Sequence, residues 1–127
     1  YKVIKYDNFI LLLQRVKPSK MKIDYDDEEL RLLIECGKST DKRYKKLKSN
    51  GTFRKDLDMV MSLLNAATST NELAVFAKLH YESLKYEFSG YSSVRIGFTT
   101  KYRLIFQEFD GGIRINLIEI NEHYGDK

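Results

Sequence analysis

The 127-residue sequence has no tryptophan, one proline, one cysteine and two histidines. Each scarcity excludes something. A lone Cys36 forms no internal disulfide, which argues for a reducing compartment rather than a disulfide-stapled secreted scaffold. One cysteine plus His80 and His123, forty-three positions apart, make no metal-ligand cluster in the sequence. There is no glycine-rich phosphate loop, no Gly-x-Ser-x-Gly elbow and no zinc-protease helix motif. Long apolar runs are missing too: residues 9–13 (FILLL) fall far short of the ~20 needed to span a bilayer. No small-residue cleavage site follows them. The expectation is a cytoplasmic protein with no cofactor, no metal and no membrane partner.

What is present suffices for a modest core. Hydrophobic residues make up 43% of the chain and charged ones 31%, with a net charge of +4 and a pI near 9.1. That balance suits an anionic partner without requiring one. Residues 1–20 read differently from the rest. Pro18 breaks any helix, and Met21 starts a fresh strand-like run, so 1–20 is a leader or an extra N-terminal helix or edge strand. Residues 21–127 read as a single domain.

Along that domain, residues 21–25 alternate as a short strand. The acids at 26–29 suit the first turn of a helix, with Leu30, Leu33 and Ile34 at helical spacing and Gly37 as its stop. Cys36 falls in this pattern and is expected to be a small core residue. Ser39, Thr40 or Asp41 can cap a second stretch, and Thr52 a third helix carrying Phe53, Leu57, Val60, Met61 and Leu64. Eight basic residues lie between Gly37 and Lys55 (Lys38, Lys42, Arg43, Lys45, Lys46, Lys48, Arg54 and Lys55) against the single acid Asp41. They form either a solvated face or a phosphate-facing patch. A connection through the helix-like LHYESLK segment then leads to strands at 91–97, 101–109 and 113–121. The fold class is α+β, with two to three helices packed on one face of a largely antiparallel sheet that ends in a three-stranded meander.

Register decides where the arginines in SVRIG and KYRLIF point. Setting Val94 opposite Leu104 and Ile96 opposite Tyr102 matches apolar with apolar, and it sets Arg95 opposite Arg103. Facing like charges are destabilising, so a carboxylate (Glu108 or Glu122) or an anionic ligand is expected to offset them. With a two-residue loop within 110–112, even positions of one strand face odd positions of the next. Val94, Ile96, Tyr102, Leu104, Phe106, Ile113, Ile115 and Leu117 then form the core face. Arg95, Arg103, Gln107, Arg114, Asn116, Glu122 and Tyr124 share the other face with Ile105, Phe109, Ile118 and Ile120, the make-up of a binding cleft.

The order of these segments resembles the RelE/ParE superfamily of bacterial toxins, in particular its HigB-like branch. The matching residues are Leu79, His80, Leu84 and Lys85; Ser93, Val94, Arg95 and Ile96; Tyr102, Arg103, Leu104 and Phe106; then Glu119 and Ile120. The family's terminal Asp-Tyr-His stands here as Glu122-His123-Tyr124, with the aromatic pair exchanged.

The resemblance implies a RelE-like fold and a toxin of a type II toxin–antitoxin system, an endoribonuclease that cleaves messenger RNA on the translating ribosome. Its implied partners are messenger RNA, the ribosome and a cognate helix-turn-helix antitoxin (HigA-like), with operator DNA reached only through the antitoxin. Cleavage needs a base for the 2′-hydroxyl, an acid for the leaving 5′-oxygen and cations for the phosphorane. Arg95 and Arg103 suit the last role. His80, Glu122, His123 and Tyr124 are the proton-transfer candidates, and Lys85, Arg114, Lys101, Lys45 and Lys46 the RNA-binding ones. Tyr81 and Tyr91 could stack on bases. A ParE-like inhibitor of DNA gyrase and a non-catalytic, antitoxin-binding regulator are the alternative readings.

Overall fold

A computed structural model describes residues 20–97 and 101–122 of the chain. Lys22–Tyr25 forms β1. Asp27 then caps α1 (Glu28–Arg31), its carboxylate accepting from the Glu29 amide at 3.0 Å. Glu28 and Glu29 occupy the first turn, where the helix dipole favours them. The helix widens into a π-turn over Leu32–Cys36 and ends at Gly37, whose φ of 68° is left-handed. A Cβ at Gly37 would stand 2.4 Å from the Arg54 guanidinium, so a larger residue at this left-handed stop would displace that side chain as well as strain the backbone.

The widening corrects one expectation. Leu30, Leu33 and Ile34 are buried, but Cys36 is exposed and does not join the core. Each π-turn residue advances by less than the ~100° of an α-helix, which carries Cys36 off the apolar stripe.

Asp41 caps the basic stretch, a 3₁₀ turn at Lys42–Tyr44 followed by α2 (Lys45–Lys48). The long helix α3 (Gly51–Ala66) is capped by Asn50, not Thr52. Asn50 has the extended backbone of a cap (φ −90°, ψ 106°), and its side chain accepts from the Phe53 amide at 3.1 Å. Asn50→Ala is expected to cost about 1 kcal/mol, read as a lower urea midpoint at an unchanged slope.

The sheet has five strands in the order β1-β5-β4-β3-β2, where β2 is Glu82–Ser83, β3 Tyr91–Arg95, β4 Arg103–Phe109 and β5 Arg114–Asn121. β1 runs parallel to β5, and the other pairs are antiparallel. The meander is therefore extended by one short strand on each side. LHYESLK is not helix-like. Leu79 ends a 3₁₀ turn, His80 is left-handed (φ 45°), and Glu82–Ser83 adds an edge strand to β3. Only two residues pair there, too few for any periodicity to distinguish strand from helix.

The first hairpin has the expected register, with Val94 opposite Leu104 and Arg95 opposite Arg103; the Ile96 amide donates to the Tyr102 carbonyl at 3.0 Å. The second hairpin keeps the expected parity from Phe109↔Arg114 to Phe106↔Leu117. The register then shifts, so that Ile105 faces Glu119 and Leu104 faces Ile120. Ile118 is the extra residue of a β-bulge, and it turns the later side chains of β5, up to Asn121, to the opposite face. Ile120 is consequently buried in the core, contrary to the unbulged reading, whereas Ile113 lies in the turn and is 56% exposed. Val94, Ile96, Leu104, Phe106, Ile115 and Leu117 meet the apolar faces of α1, α2 and α3 in one cluster on one side of the sheet. No helix among the described residues is long and apolar enough to cross a membrane.

Candidate active site

Arg95 closes β3 and Arg103 opens β4, so both lie at one end of the sheet. Their environments are unlike. Arg103 is 5% exposed. Its Nε donates to Ser93 Oγ at 2.9 Å and its Nη2 to the His80 carbonyl at 2.9 Å, while Nη2 also pairs with Glu82 Oε1 at 3.0 Å. Burial pulls its pKa below the ordinary arginine value; Glu82 opposes the shift and the like charge of Arg95 adds to it. Arg95 is half-buried, and among the described residues it has no ion pair or hydrogen bond.

The carboxylate that offsets the facing arginines is thus Glu82, not Glu108 or Glu122. Glu82 pairs with Ser93 across the β2–β3 ladder, which puts it on the same face as Arg103. Sequence reasoning missed Glu82, Ser93 Oγ and the His80 carbonyl together, because the two-residue strand that aligns them leaves no pattern.

Glu108 serves the opposite, helix-facing side. It accepts from Thr70 Oγ1 at 2.7 Å, from Ser92 Oγ at 2.5 Å and from the Tyr81 hydroxyl. Burial pushes the Glu108 carboxyl up, but the three hydroxyls outweigh it, and its pKa falls below the ordinary 4.5. Tyr81 is raised, first by burial and then by its bond to Glu108. The Tyr81 ring stacks on Phe106 with centroids 6.3 Å apart, so in this structure it stacks within the protein rather than standing free for a base.

A depressed carboxyl contributes stability that is complete above its unfolded pKa and lost as pH falls through the folded value. Glu108→Gln is accordingly expected to flatten the acid limb of the stability–pH curve below pH 4.5, measured by thermal melts.

The other candidates scatter. The side chain of His80 is exposed, while its carbonyl holds Arg103. Lys101 is exposed two residues before Arg103, and Glu122 is exposed just after Asn121, the β5 partner of Arg103. His80, Arg95, Lys101, Arg103 and Glu122 therefore share one end of the sheet, but beyond the bulge Asn121 stands opposite Arg103, so the expected place of Glu122 on the arginine face is not kept. His123 and Tyr124 lie outside the described residues. Arg114 is not at this end. It pairs with Phe109, six residues along β4 from Arg103 or roughly 20 Å away, and it binds Asp110 at 3.2 Å and Asp24 at 3.7 Å.

Lys85 is exposed beyond the opposite end of β2, and Tyr91 is half-buried at the start of β3. Lys45 and Lys46 are exposed on α2. Three of the eight basic residues around them are engaged by the protein itself, Arg43 and Lys48 at its surface. Arg43 bridges Asp41, Asp27 and Glu119, Lys48 donates to the Ser39 carbonyl, and Arg54 covers Gly37.

A cavity of about 150 Å³ adjoins Arg95, between α3 and the end of β3, with Asp56, Met59, Leu63 and Lys78 in its lining. A larger one, about 280 Å³, lies at β1 beside Tyr25 and Glu35. The smaller carries the cations, and the chemistry favours it.

No known family model matches the sequence, and no curated protein does. Solved structures do show likeness. The YoeB/ParE toxin from Agrobacterium tumefaciens is 19% identical, with 82% of this chain and 100% of that chain covered and a TM-score of 0.47. A chain of the heterotetrameric YoeB-YefM toxin-antitoxin complex from Staphylococcus aureus is also 19% identical, with coverages of 84% and 100% and a TM-score of 0.48. YafQ from E. coli strain BL21(DE3) is 18% identical, with coverages of 80% and 92% and a TM-score of 0.47. These are distant likenesses, and the functional reading stands on the residues of this chain.

Proposed function

We propose that the chain is a RelE/HigB-like toxin of a type II toxin–antitoxin system, a ribosome-dependent endoribonuclease that cleaves messenger RNA by 2′-hydroxyl attack. The observation that carries this reading is Arg95, a cation without a protein partner among the described residues, beside a second guanidinium already fixed in place. Desolvating a pair of facing arginines is costly, and an anion bound at the rim offsets that cost.

In the proposed reaction the 2′-oxygen gives its proton to a base and attacks phosphorus. A 2′,3′-cyclic phosphate forms, and the 5′-oxygen leaves with a proton from an acid. Arg95 binds the non-bridging oxygens as charge builds. Arg103 holds the geometry rather than contacting phosphate, because it is buried and its Nε and Nη2 are already engaged by Ser93, His80 and Glu82. His80, Glu122, His123 and Tyr124 are the groups that move the protons. A helix-turn-helix antitoxin is the proposed neutralising partner, with operator DNA reached through it.

The test is tight induction of the full chain in bacterial cells, with messenger 5′-ends mapped within minutes. Growth arrest with new cuts inside translated messages is the expected result. Arrest with intact messages overturns the reading, and accompanying DNA-damage signalling would indicate a gyrase-directed toxin. Binding to an antitoxin without toxicity would indicate a regulator.

His80→Asn isolates the imidazole. Asparagine tolerates the left-handed backbone and keeps the carbonyl that holds Arg103. Cleavage in a ribosome-programmed assay is expected to fall about 100-fold with the melting temperature retained.

A further inference from the structure

Residues 80–82 grip the sheet from both faces at once. On one face the His80 carbonyl and the Glu82 carboxylate hold the Arg103 guanidinium. On the other, the Tyr81 hydroxyl donates to Glu108 and its ring lies on Phe106. The alternation is that of an extended strand, although only residues 82 and 83 pair as one. The incoming 67–90 connection has no long helix to steady it, and Glu108 ties it down a second time through Thr70. Glu108 sits on β4 with Phe106, on the face opposite Arg103, and it has no part in the chemistry proposed above.

We propose that Tyr81 and Glu108 are positioning residues for the arginine end of the sheet. Their bond sets the depth and rotation of the run 80–82. That in turn fixes the carbonyl and carboxylate that keep Arg103 folded down against Ser93, leaving Arg95 as the cation at the rim. A substrate-facing group misplaced by ~1 Å loses about 100-fold in rate, which is why a hydroxyl on the far face matters. The effect on cleavage rests on the endoribonuclease reading. The effect on Arg103 does not.

The experiment uses the ¹⁵N-labelled full chain. Tyr81→Phe removes the hydroxyl and keeps the ring on Phe106, so the fold is retained. Solvent exchange of the Arg103 Nε–H, which donates to Ser93, is followed by NMR beside the Leu104 amide as a marker of global opening. Exchange at Arg103 is expected to quicken about tenfold while Leu104 is unchanged. Glu108→Gln is expected to do the same to a lesser degree, and Glu82→Ala serves as the positive control.

If Arg103 exchange is unmoved in Tyr81→Phe, or quickens only in step with Leu104, the proposal is overturned. For cleavage, a lower kcat at an unchanged KM is expected. A wild-type chain that cuts no RNA would sink the functional reading, while the exchange result would still decide the positioning role.

Discussion

Arg95→Ala is expected to lower messenger cleavage by at least ~100-fold and to leave the protein as stable as before, or slightly more so. The loss follows from the role of a cation aimed at developing phosphorane charge, where removing one such group costs about 10²–10³ in rate. The retained stability follows from the structure. Arg95 makes no hydrogen bond or ion pair among the described residues, and it faces Arg103 directly across the ladder. Deleting one of two facing like charges returns some tenths of a kcal/mol. Parallel measurement of single-turnover rate and urea midpoint gives the two numbers. A rate unchanged by Arg95→Ala would remove the proposed phosphate contact.

At Arg103 the balance is reversed, and the order of effects within its pair is specific. The Arg103 side chain is 6% exposed and that of Glu82 is 41% exposed. Glu82→Ala strands a buried guanidinium and is expected to cost about 3 kcal/mol, the lower end of the range for breaking a buried pair. Arg103→Met leaves a carboxylate that water can reach and a side chain of similar reach in the pocket. Its cost is expected to be about 1–2 kcal/mol, chiefly from the orphaned Ser93 hydroxyl and His80 carbonyl. Removing the acid should therefore hurt more than removing the base, as measured by denaturant unfolding. The opposite order would mean that Arg103 is anchored by its packing and not by Glu82.

How far the chain could be read before folding depended on the kind of signal. The first hairpin was legible because Val94, Ile96, Tyr102 and Leu104 match in only one register, and the arginines followed from it. The stop at Gly37 was legible because left-handed stops use few residue types, whereas Asp41 was only one of three candidate caps with Ser39 and Thr40. The bulge at Ile118 was not, since in RINLIEIN it is marked by neither glycine nor proline, only by two adjacent apolar residues, Leu117 and Ile118. From there to the end of β5 the faces come out reversed, and Ile120 moved from the surface to the core. The π-turn that expels Cys36 is equally silent in sequence. At the candidate site, the side chains that carry charge could be read, but their neutralising partner could not. Glu82 reaches Arg103 through a two-residue strand and a left-handed histidine, features that only the folded chain supplies.

The parallel pairing of β1 with β5 has a consequence in time. Lys22 finds Arg114, and Tyr25 finds Leu117, only when almost the whole domain has been synthesised. Until then β1 has no ladder partner and β4 is open on one side, so the sheet cannot close before β5 has been made. Pairing of such distant segments is slow. β5 supplies Asn121 opposite Arg103 and leads into the residues proposed for proton transfer. The cationic end of the sheet is therefore completed only after β5 has been made.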